Sequence, residues 1–283
     1  MGNASLICVP AAMSLLVGCA VVAPTGETEV RCEGTNGSFV VRADAGQLAS
    51  WRLGDGSEVL FLPRQCPWRV GEVHGGVPIC WPWFGRKAGD LPIHGLARYA
   101  QWTVTGTDGA GVLSLQLDSS EETRRIWPYD FSLSCTVTLL ATNRIEVSFT
   151  ETNTDRCAYE TSWGFHPYLA VASADDVEVD GVSPGRPYVR VSTKDAGGHR
   201  RVLSDVKGGR EIEVSCSDNE DWFVWNPGAE VTAKCRTLDA DDWLEFYCLE
   251  PCTLTPRVLK SGESRTHSMR LSVRARCAGS RSP

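Results

Sequence analysis

Apolar and polar residues alternate along most of the chain after residue 38. The long run "FSLSCTVTL" places these residues on a single face: Phe131, Leu133, Cys135, Val137 and Leu139. The next segment continues the alternation at Ile145, Val147 and Phe149. A period of two is typical of antiparallel strands that bury one face. Turn-forming sequences such as Asp44-Ala45-Gly46 and Thr107–Gly111 separate the runs, so the pattern predicts a series of β-hairpins.

Helical periodicity is scarce in the sequence. The segment "SSEETRRIW" predicts one short helical turn opened by a serine cap, and "VTAKCRTL" predicts another. Many short strands with few helices imply sheets packed face to face, so we expect an all-β fold, a large antiparallel β-sandwich with few short helices. No stretch rich in proline, serine or charge marks a linker. We therefore predict one domain over residues 31–283, preceded by a separate N-terminal segment at residues 1–30.

The charge and cysteine content exclude some classes of protein. The formal net charge is -7, with acidic and basic residues mixed along the chain, and a nucleic-acid groove would need a basic stripe instead. The chain has 12 cysteines but no C-x-x-C pair of the kind that binds zinc. We expect most of these cysteines to be reduced and buried as small apolar residues, because a chain of this length builds a core without disulfides.

The N-terminal segment carries an ambiguous apolar run, "MSLLVGCAVVAP". It resembles the apolar region of a signal peptide, but no lysine or arginine precedes Arg31. The run is also too short to span a membrane. We expect a cytoplasmic, monomeric protein with no membrane partner, and export is the alternative.

The chain has five histidines, and one of them stands beside a proline at a predicted strand end. His267 is in phase with apolar strand positions and is expected to be a core or half-buried strand residue, whereas His199 lies in a polar loop. His166 precedes Pro167, and Glu250 likewise precedes a proline. A residue before proline is extended, so both are expected where a strand ends, which is where functional groups are often held. The alternative is that both are incidental polar residues at the rim.

Residues 75–98, "GGVPICWPWFGRKAGDLPIHGLAR", combine aromatic residues with prolines. Pro78 and Pro82 cannot donate to a ladder, so this segment is not an ordinary central strand. Trp81, Trp83 and Phe84 are each expected to be packing residues.

The same segment ends in His94 and Arg98, in a loop that contains proline and glycine. A guanidinium offers a planar fork of donors for a carboxylate or a phosphate, although a structural ion pair is the alternative for Arg98. Histidine, glutamate and arginine on loops beside aromatic residues suit a sugar or sugar-phosphate site.

The motifs closely resemble the signature of glucose-6-phosphate 1-epimerases, the hexose-phosphate branch of the aldose 1-epimerase (galactose mutarotase-like) family. After the segment at residues 75–98, further motifs follow in the family's order: "WPYDFSL" at 127–133, "FTETNT" at 149–154, "HPYL" at 166–169, "VWNP" at 224–227 and "LEP" at 249–251. The resemblance extends from about residue 38 to residue 274. It implies a β-supersandwich fold, in agreement with the strand pattern.

The resemblance also implies an isomerase that interconverts sugar anomers and assigns roles to residues. His166 would be the general acid that protonates the ring oxygen, and Glu250 the general base that takes the proton of the anomeric hydroxyl. The ring would open to the aldehyde, rotate about C1–C2 and close again, with no cofactor and no metal. His94 and Arg98 would bind the hexose 6-phosphate, with glucose 6-phosphate as the expected substrate. Asp205 is the expected contact for sugar hydroxyls.

One departure from the family's pattern concerns phosphate. This chain has His74 where the phosphate-selective branch usually has arginine before the paired glycines, and a neutral imidazole binds phosphate less well than a guanidinium. Arg86 or Lys87 is the candidate substitute. The alternatives are an aldose 1-epimerase acting on unphosphorylated hexoses and a non-catalytic module that binds sugar phosphates.

Overall fold

A computed structural model describes residues 28–34, 36–64, 72–87, 89–107, 111–194 and 198–276. The apolar run predicted to resemble a signal peptide and the centre of the Thr107–Gly111 turn lie outside these residues. The strands are β1 (Glu29–Gly34), β2 (Gly37–Arg42), β3 (Gln47–Arg52), β4 (Ile79–Cys80), β5 (Thr103–Thr107), β6 (Val112–Asp118), β7 (Phe131–Ala141), β8 (Arg144–Asn153), β9 (Tyr159–Phe165), β10 (Tyr168–Ala170), β11 (Val177–Val179), β12 (Tyr188–Ser192), β13 (Arg200–Asp205), β14 (Arg210–Cys216), β15 (Asp221–Trp225), β16 (Phe246–Leu259) and β17 (Ser264–Ala275).

The strands form three antiparallel sheets, which confirms the predicted fold class. The largest has the order β11-β13-β14-β17-β8-β7-β6-β5, and the second has the order β12-β15-β16-β9-β4, with β10 also paired to β16. The third contains β1, β2 and β3. One buried apolar cluster draws side chains from all three sheets, among them Trp51, Leu133, Phe165 and Leu271. The alternating residues of the sequence are therefore the inner faces of a large β-sandwich.

Helices are few and short in the described part of the chain. They are α1 (Glu121–Ile126) and α2 (Gly228–Thr232), together with 3-10 turns at Ala97–Tyr99, Ala174–Asp176 and Asp242–Leu244. The side chain of Ser120 accepts a hydrogen bond from the backbone of Thr123, so the predicted serine cap is confirmed. The second predicted turn begins a few residues earlier than its sequence suggested. None of the described helices is long and apolar enough to cross a membrane.

The cysteines that the structure describes are mostly buried. Cys32, Cys80, Cys135, Cys216, Cys248 and Cys252 are buried, Cys235 is half-buried and Cys157 is exposed. Cys135 lies on the inner face of β7 as predicted, where burial raises the pKa of its thiol to about 12.

A network of ionisable side chains lies inside the sandwich and contacts Trp81 of the aromatic segment. His267 is fully buried, and its Nε2 lies 3.2 Å from Oε1 of Glu151 while its Nδ1 lies 3.0 Å from Oδ2 of Asp218. Its ring stacks on Trp163 with centroids 4.0 Å apart. Trp81 donates its indole N–H to Oε2 of Glu151 at 2.7 Å. The prediction that His267 lies in the core is confirmed, and its carboxylate partners are a finding of the structure.

The hydrogen bonds of this network together shift the pKa values of His267 and Glu151 more than burial does. Burial lowers the pKa of His267, but the bonds to Asp218 and Glu151 raise it above its ordinary value. Burial raises the pKa of Glu151, but the bonds from His267 and Trp81 lower it below its ordinary value. The hydrogen bonds therefore favour the charged form of both groups.

Candidate active site

Two prolines interrupt the pairing of β16 with its neighbour at one point. Pro167 separates β9 from β10, and Pro251 lies on β16 opposite that break. The register on either side of the break pairs Tyr168 with Cys248 and Gly164 with Cys252. That register places His166 directly opposite Glu250. Because proline lacks a ladder donor, the sheet is open where this histidine and this glutamate face each other.

The structure corrects the prediction that Glu250 ends a strand. Glu250 lies inside β16, where it pairs with Phe223 of β15, and Pro251 pairs with Trp222. The interruption falls only on the β9–β10 side, so the β15 side holds β16 continuous through its proline. His166, in contrast, does follow the last residue of β9.

His166 and Glu250 form a buried pair. Nε2 of the imidazole lies 3.4 Å from Oε2 of the carboxyl, and the two residues are 5% and 3% exposed. The imidazole stacks on Tyr168, with centroids 4.8 Å apart and planes at 11°, which fixes the direction of its Nε2. Its Nδ1 has no hydrogen-bond partner among the described residues.

Burial favours the uncharged form of both groups. It lowers the pKa of His166 well below its ordinary value, and nearby His94 and Arg98 lower it further. Burial raises the pKa of Glu250 well above its ordinary value, although Arg98 opposes this. Burial therefore favours the neutral pair in the free cavity, and one proton transfer between Oε2 and Nε2, 3.4 Å apart, would convert it to carboxylate and imidazolium.

The pair lies at the floor of an open cavity of about 700 Å³. The lining residues are Glu72, His74, Phe84, Gly85, Arg86, Ile93, His94, Arg98, Tyr99, His166, Tyr168, Phe223, Trp225, Arg236, Thr237, Glu250 and Leu254. This volume holds a small molecule. The cavity brings together six of the eight residues that the sequence analysis proposed for the site, all except Asp205 and Lys87.

An aromatic wall borders the pair. Phe84 stacks on Phe223 with centroids 5.5 Å apart and faces the ring of His166 at 6.5 Å. Its ring lies against Gly164, where a Cβ would come within 2.5 Å of the Phe84 ring. Trp81 is fully buried, as expected of a packing residue, and Phe84 packs against Phe223 and Gly164 while it also lines the cavity.

His94 is held as a neutral hydrogen-bond donor. The backbone N–H of Gly85 donates to its Nδ1 at 3.1 Å, so its proton lies on Nε2. Burial, followed by Arg98, lowers its pKa to about 3. Its ring meets that of His166 edge-on, with centroids 5.1 Å apart. His94 has a left-handed backbone with φ 65°, which a non-glycine residue adopts only where its surroundings hold it.

His74 carries its proton on Nδ1, whereas His94 carries it on Nε2. The hydroxyl of Thr237 donates to the carbonyl of Glu72 at 3.1 Å, so it accepts the Nδ1–H of His74, at 2.6 Å. Burial, followed by Arg98, lowers the pKa of His74 to about 4. At neutral pH, Nε2 of His74 is therefore an acceptor, which suits a hydroxyl and not a phosphate.

Arg98 is a buried cation with few partners. It is 5% exposed, and its Nη2 donates to the carbonyl of Val73 at 3.0 Å. Its Nε has no hydrogen-bond partner within the described ranges, and no described carboxylate forms an ion pair with it. The structural ion pair that was the alternative role for Arg98 is absent from the described part of the chain.

Other cations differ in their positions. Arg86 lines the cavity and is exposed, whereas Nζ of Lys87 lies 5.0 Å from the centroid of the Trp83 ring. Arg236 also lines the cavity. Sequence reasoning missed Arg236, because it lies in an irregular segment after α2 with no recognisable motif.

Asp205 is not brought to the cavity. It is the last residue of β13 and is buried. Its carboxylate accepts hydrogen bonds from the backbone N–H groups of Ala172 and Gly208 and from Nε of Arg210. These bonds use the carboxylate of Asp205 to hold the β13–β14 turn. The structure therefore does not place it where it could contact a sugar in the cavity.

Comparison with known proteins identifies the family. Residues 46–191 match the aldose 1-epimerase family. A protein of Escherichia coli K12 named "Putative glucose-6-phosphate 1-epimerase" is 31% identical over 231 residues, which is 72% of this chain and 75% of that protein. The chain belongs to the aldose 1-epimerase family. It is therefore an epimerase that interconverts sugar anomers. His74, His94, Arg98 and His166 lie within the matched residues.

A further relative and two solved structures agree with the family and the fold. A protein of the same name from Cenchrus ciliaris is 25% identical over 272 residues, or 84% of this chain and 82% of that protein. The crystal structure of a "putative mutarotase" from Salmonella typhimurium aligns with a TM-score of 0.73 at 23% identity, covering 91% of this chain and 97% of that one. A galactose mutarotase-like protein from Lactobacillus casei aligns with a TM-score of 0.66 at 16% identity, covering 87% and 100%. The structures confirm the mutarotase-like sandwich.

Proposed function

We propose that this epimerase interconverts the α and β anomers of a hexose 6-phosphate, with glucose 6-phosphate as the first candidate. The observation that carries the proposal is Arg98, a buried guanidinium in the cavity with no carboxylate partner among the described residues. A buried cation without a counter-ion is costly, and a dianionic ester would supply the missing charge. The relatives' names point the same way.

In the proposed reaction, His166 and Glu250 act as the acid and the base. The anomeric O1–H donates to Glu250, and this hydrogen bond stabilises the carboxylate and moves the shared proton onto His166. Glu250 then takes the O1 proton, the C1–O5 bond breaks, and O5 takes the proton from Nε2 of His166. The O1–C1 bond becomes the aldehyde. Rotation about C1–C2 and the reverse transfers close the ring as the other anomer.

The remaining cavity residues orient the sugar in this proposal. Nε2–H of His94 donates to a sugar oxygen, and Nε2 of His74 accepts from a sugar hydroxyl. Phosphate recognition falls to the arginines, with Arg98 in the interior and Arg86 and Arg236 nearer the solvent. The Phe84 wall excludes water from one side of the acid–base pair.

The experiment follows α-D-glucose 6-phosphate as it relaxes to the β anomer, with a β-specific dehydrogenase as the reporter. Wild type is compared with H166A and E250Q, and each run is repeated with free glucose and galactose. We expect acceleration with the phosphate ester and its loss in both variants. Acceleration confined to the free sugars would overturn the phosphate assignment, and none with any sugar would leave a binding module.

The phosphate assignment has its own variant. Arg98→Gln removes the charge, and a hydrogen bond to a charged group contributes about 1.5–3 kcal/mol, so kcat/KM for glucose 6-phosphate should fall roughly 10–150-fold. The rate with free glucose should change much less. Arg64→Gln is the matched control, because Arg64 pairs with Glu245 at the surface. Equal losses with both sugars would contradict a phosphate role.

A further inference from the structure

A third side chain accompanies the acid–base pair in the floor of the cavity. The thiol of Cys248 and one ligand atom each of His166 and Glu250 all lie within 4.8 Å of one another. Cys248 precedes Glu250 by two residues on the same strand, so both face the same side of the sheet. Cys248 pairs with Tyr168 directly beside the break in the sheet where His166 faces Glu250. All three residues are buried.

The donor set and its spacing match one class of ion. Zn²⁺ binds thiolate at about 2.3 Å and imidazole or carboxylate at about 2.0–2.1 Å in a tetrahedron. Those lengths require an N–O separation of about 3.3 Å and S–N or S–O separations of about 3.6 Å. The Nε2–Oε2 distance of His166 and Glu250 is 3.4 Å. Because the thiol lies within 4.8 Å of one ligand atom of each residue, a shift of about 1.2 Å or less brings it to the required separation.

We infer that His166, Cys248 and Glu250 form an inhibitory site for a thiophilic divalent cation, Zn²⁺ foremost. Three protein ligands leave the fourth tetrahedral position open towards the cavity, where it takes water. A bound ion occupies both Nε2 of His166 and the carboxylate of Glu250, so it blocks proton transfer and competes with the sugar.

The surroundings make the site reversible and not a resident metal centre. A metal-bound histidine almost always donates its other N–H to an acceptor, and losing that partner lowers metal affinity roughly 10–100-fold. Nδ1 of His166 has no such partner within the described ranges. Binding therefore weakens below that of a structural zinc site, and a chelator should restore activity.

The test titrates the full-length protein with Zn²⁺ by calorimetry and with Co²⁺ by absorption, since a cobalt–thiolate bond gives a charge-transfer band. The key variant is Cys248→Ala. Cys252→Ala is the matched control, because Cys252 is also buried and follows Glu250 by two residues, just as Cys248 precedes it by two. Cys248→Ser is the second variant, which keeps the volume if the alanine variant fails to fold.

Wild type and C252A should bind one Zn²⁺ per chain and show the cobalt–thiolate band. C248A should lose at least about tenfold in affinity, and Zn²⁺ should raise the apparent KM in wild type but not in C248A. Equal affinity in wild type and C248A, or no stoichiometric binding to wild type, would overturn the site. The titration needs no sugar phosphate, so its outcome is independent of the hexose-phosphate specificity proposed above.

Discussion

Two buried histidine–glutamate pairs in this protein have pKa values shifted in opposite directions. His166 and Glu250 lie 3.4 Å apart, and His267 and Glu151 lie 3.2 Å apart. In the first pair the pKa of the histidine is lowered and that of the glutamate raised. In the second pair both shifts are reversed. Separation and burial are similar, so the difference comes from what surrounds each pair.

The core pair has partners that stabilise its charges. His267 also contacts Asp218, and Glu151 accepts the N–H of Trp81 and lies 3.5 Å from Nη1 of Arg265. His166, in contrast, has an unpartnered Nδ1 in the described structure. Hydrogen bonds to a charged form favour that form. A satisfied pair is therefore structural, and a pair with unused hydrogen-bonding capacity beside a cavity is available to a substrate.

The largest expected difference between the pairs is catalytic. Glu250→Gln should lower kcat about 10²–10⁴-fold, because it removes the proposed base. Its free energy of unfolding should change by no more than about 1 kcal/mol, since a neutral amide replaces a carboxyl that burial already keeps neutral. The coupled anomer assay and urea unfolding measure the two quantities. A large loss of stability would mean that Glu250 is charged in the free protein.

His267→Ala should lower the free energy of unfolding strongly and change kcat little. Removing one partner of a buried ion pair costs about 3–5 kcal/mol, because Glu151 and Asp218 keep their charges without a cation between them. The kcat should change less than about tenfold. Urea unfolding measures the loss, and His199→Ala, at an exposed position, is the control. Equal stability of the two variants would refute the structural role.

Trp81→Phe should have a smaller effect on stability. It removes the only donor that the aromatic segment gives to Glu151 among the described residues, and a hydrogen bond to a charged group contributes about 1.5–3 kcal/mol. Trp83→Phe is the matched control, because its N–H donates to the neutral carbonyl of Pro92 at 3.0 Å and should cost about 0.5–1.5 kcal/mol. Thermal unfolding of both variants tests the order. The reverse order would show that Glu151 is not charged.

The smallest expected difference between the two pairs is in the pH dependence of the free energy of unfolding. The folded pKa of His267 is raised above 6.5, so its contribution is fully present below pH 6.5 and is lost as pH rises through the folded pKa. The folded pKa of His166 is lowered below 6.5, so its contribution is present above pH 6.5 and is lost as pH falls.

Unfolding of wild type, H267A and H166A between pH 5 and pH 9 tests these signs, and each proton difference contributes a slope of at most about 1.4 kcal/mol per pH unit. The advantage of wild type over H267A should shrink above pH 6.5. Relative to H166A, wild type should lose stability below pH 6.5. Parallel curves for all three proteins would contradict both shifts.

The strands were predictable from the sequence because their alternation is regular, as in β7 and β8. The same alternation held a further signal, since Glu151 is in phase with Ile145, Val147 and Phe149 and so points inward. A buried glutamate requires a partner, and His267 is in phase with the buried residues of β17. Phase alone places both inside the sandwich, but their contact depends on how β17 pairs with β8.

The candidate site was predictable only as far as its motifs extend. His166 and Glu250 were found, but their direct opposition depends on the register of β16 with β9 and β10, which no local pattern encodes. The structure does not bring Asp205 to the cavity, and its position in the sequence, before "VWNP", gave no information about the turn that its carboxylate holds. Arg236 comes to the cavity through an irregular segment, where spacing predicts nothing.

The charges of the cavity also affect how fast a substrate arrives. The chain has a net charge of -7, yet three arginines, Arg86, Arg98 and Arg236, line the cavity beside Glu72 and Glu250, and burial raises the pKa of Glu250. A local positive field on a negative molecule concentrates field lines at the cavity mouth and steers anions towards it. Encounter with a dianionic sugar should therefore slow as ionic strength rises, while a neutral sugar diffuses in at a rate that salt leaves unchanged.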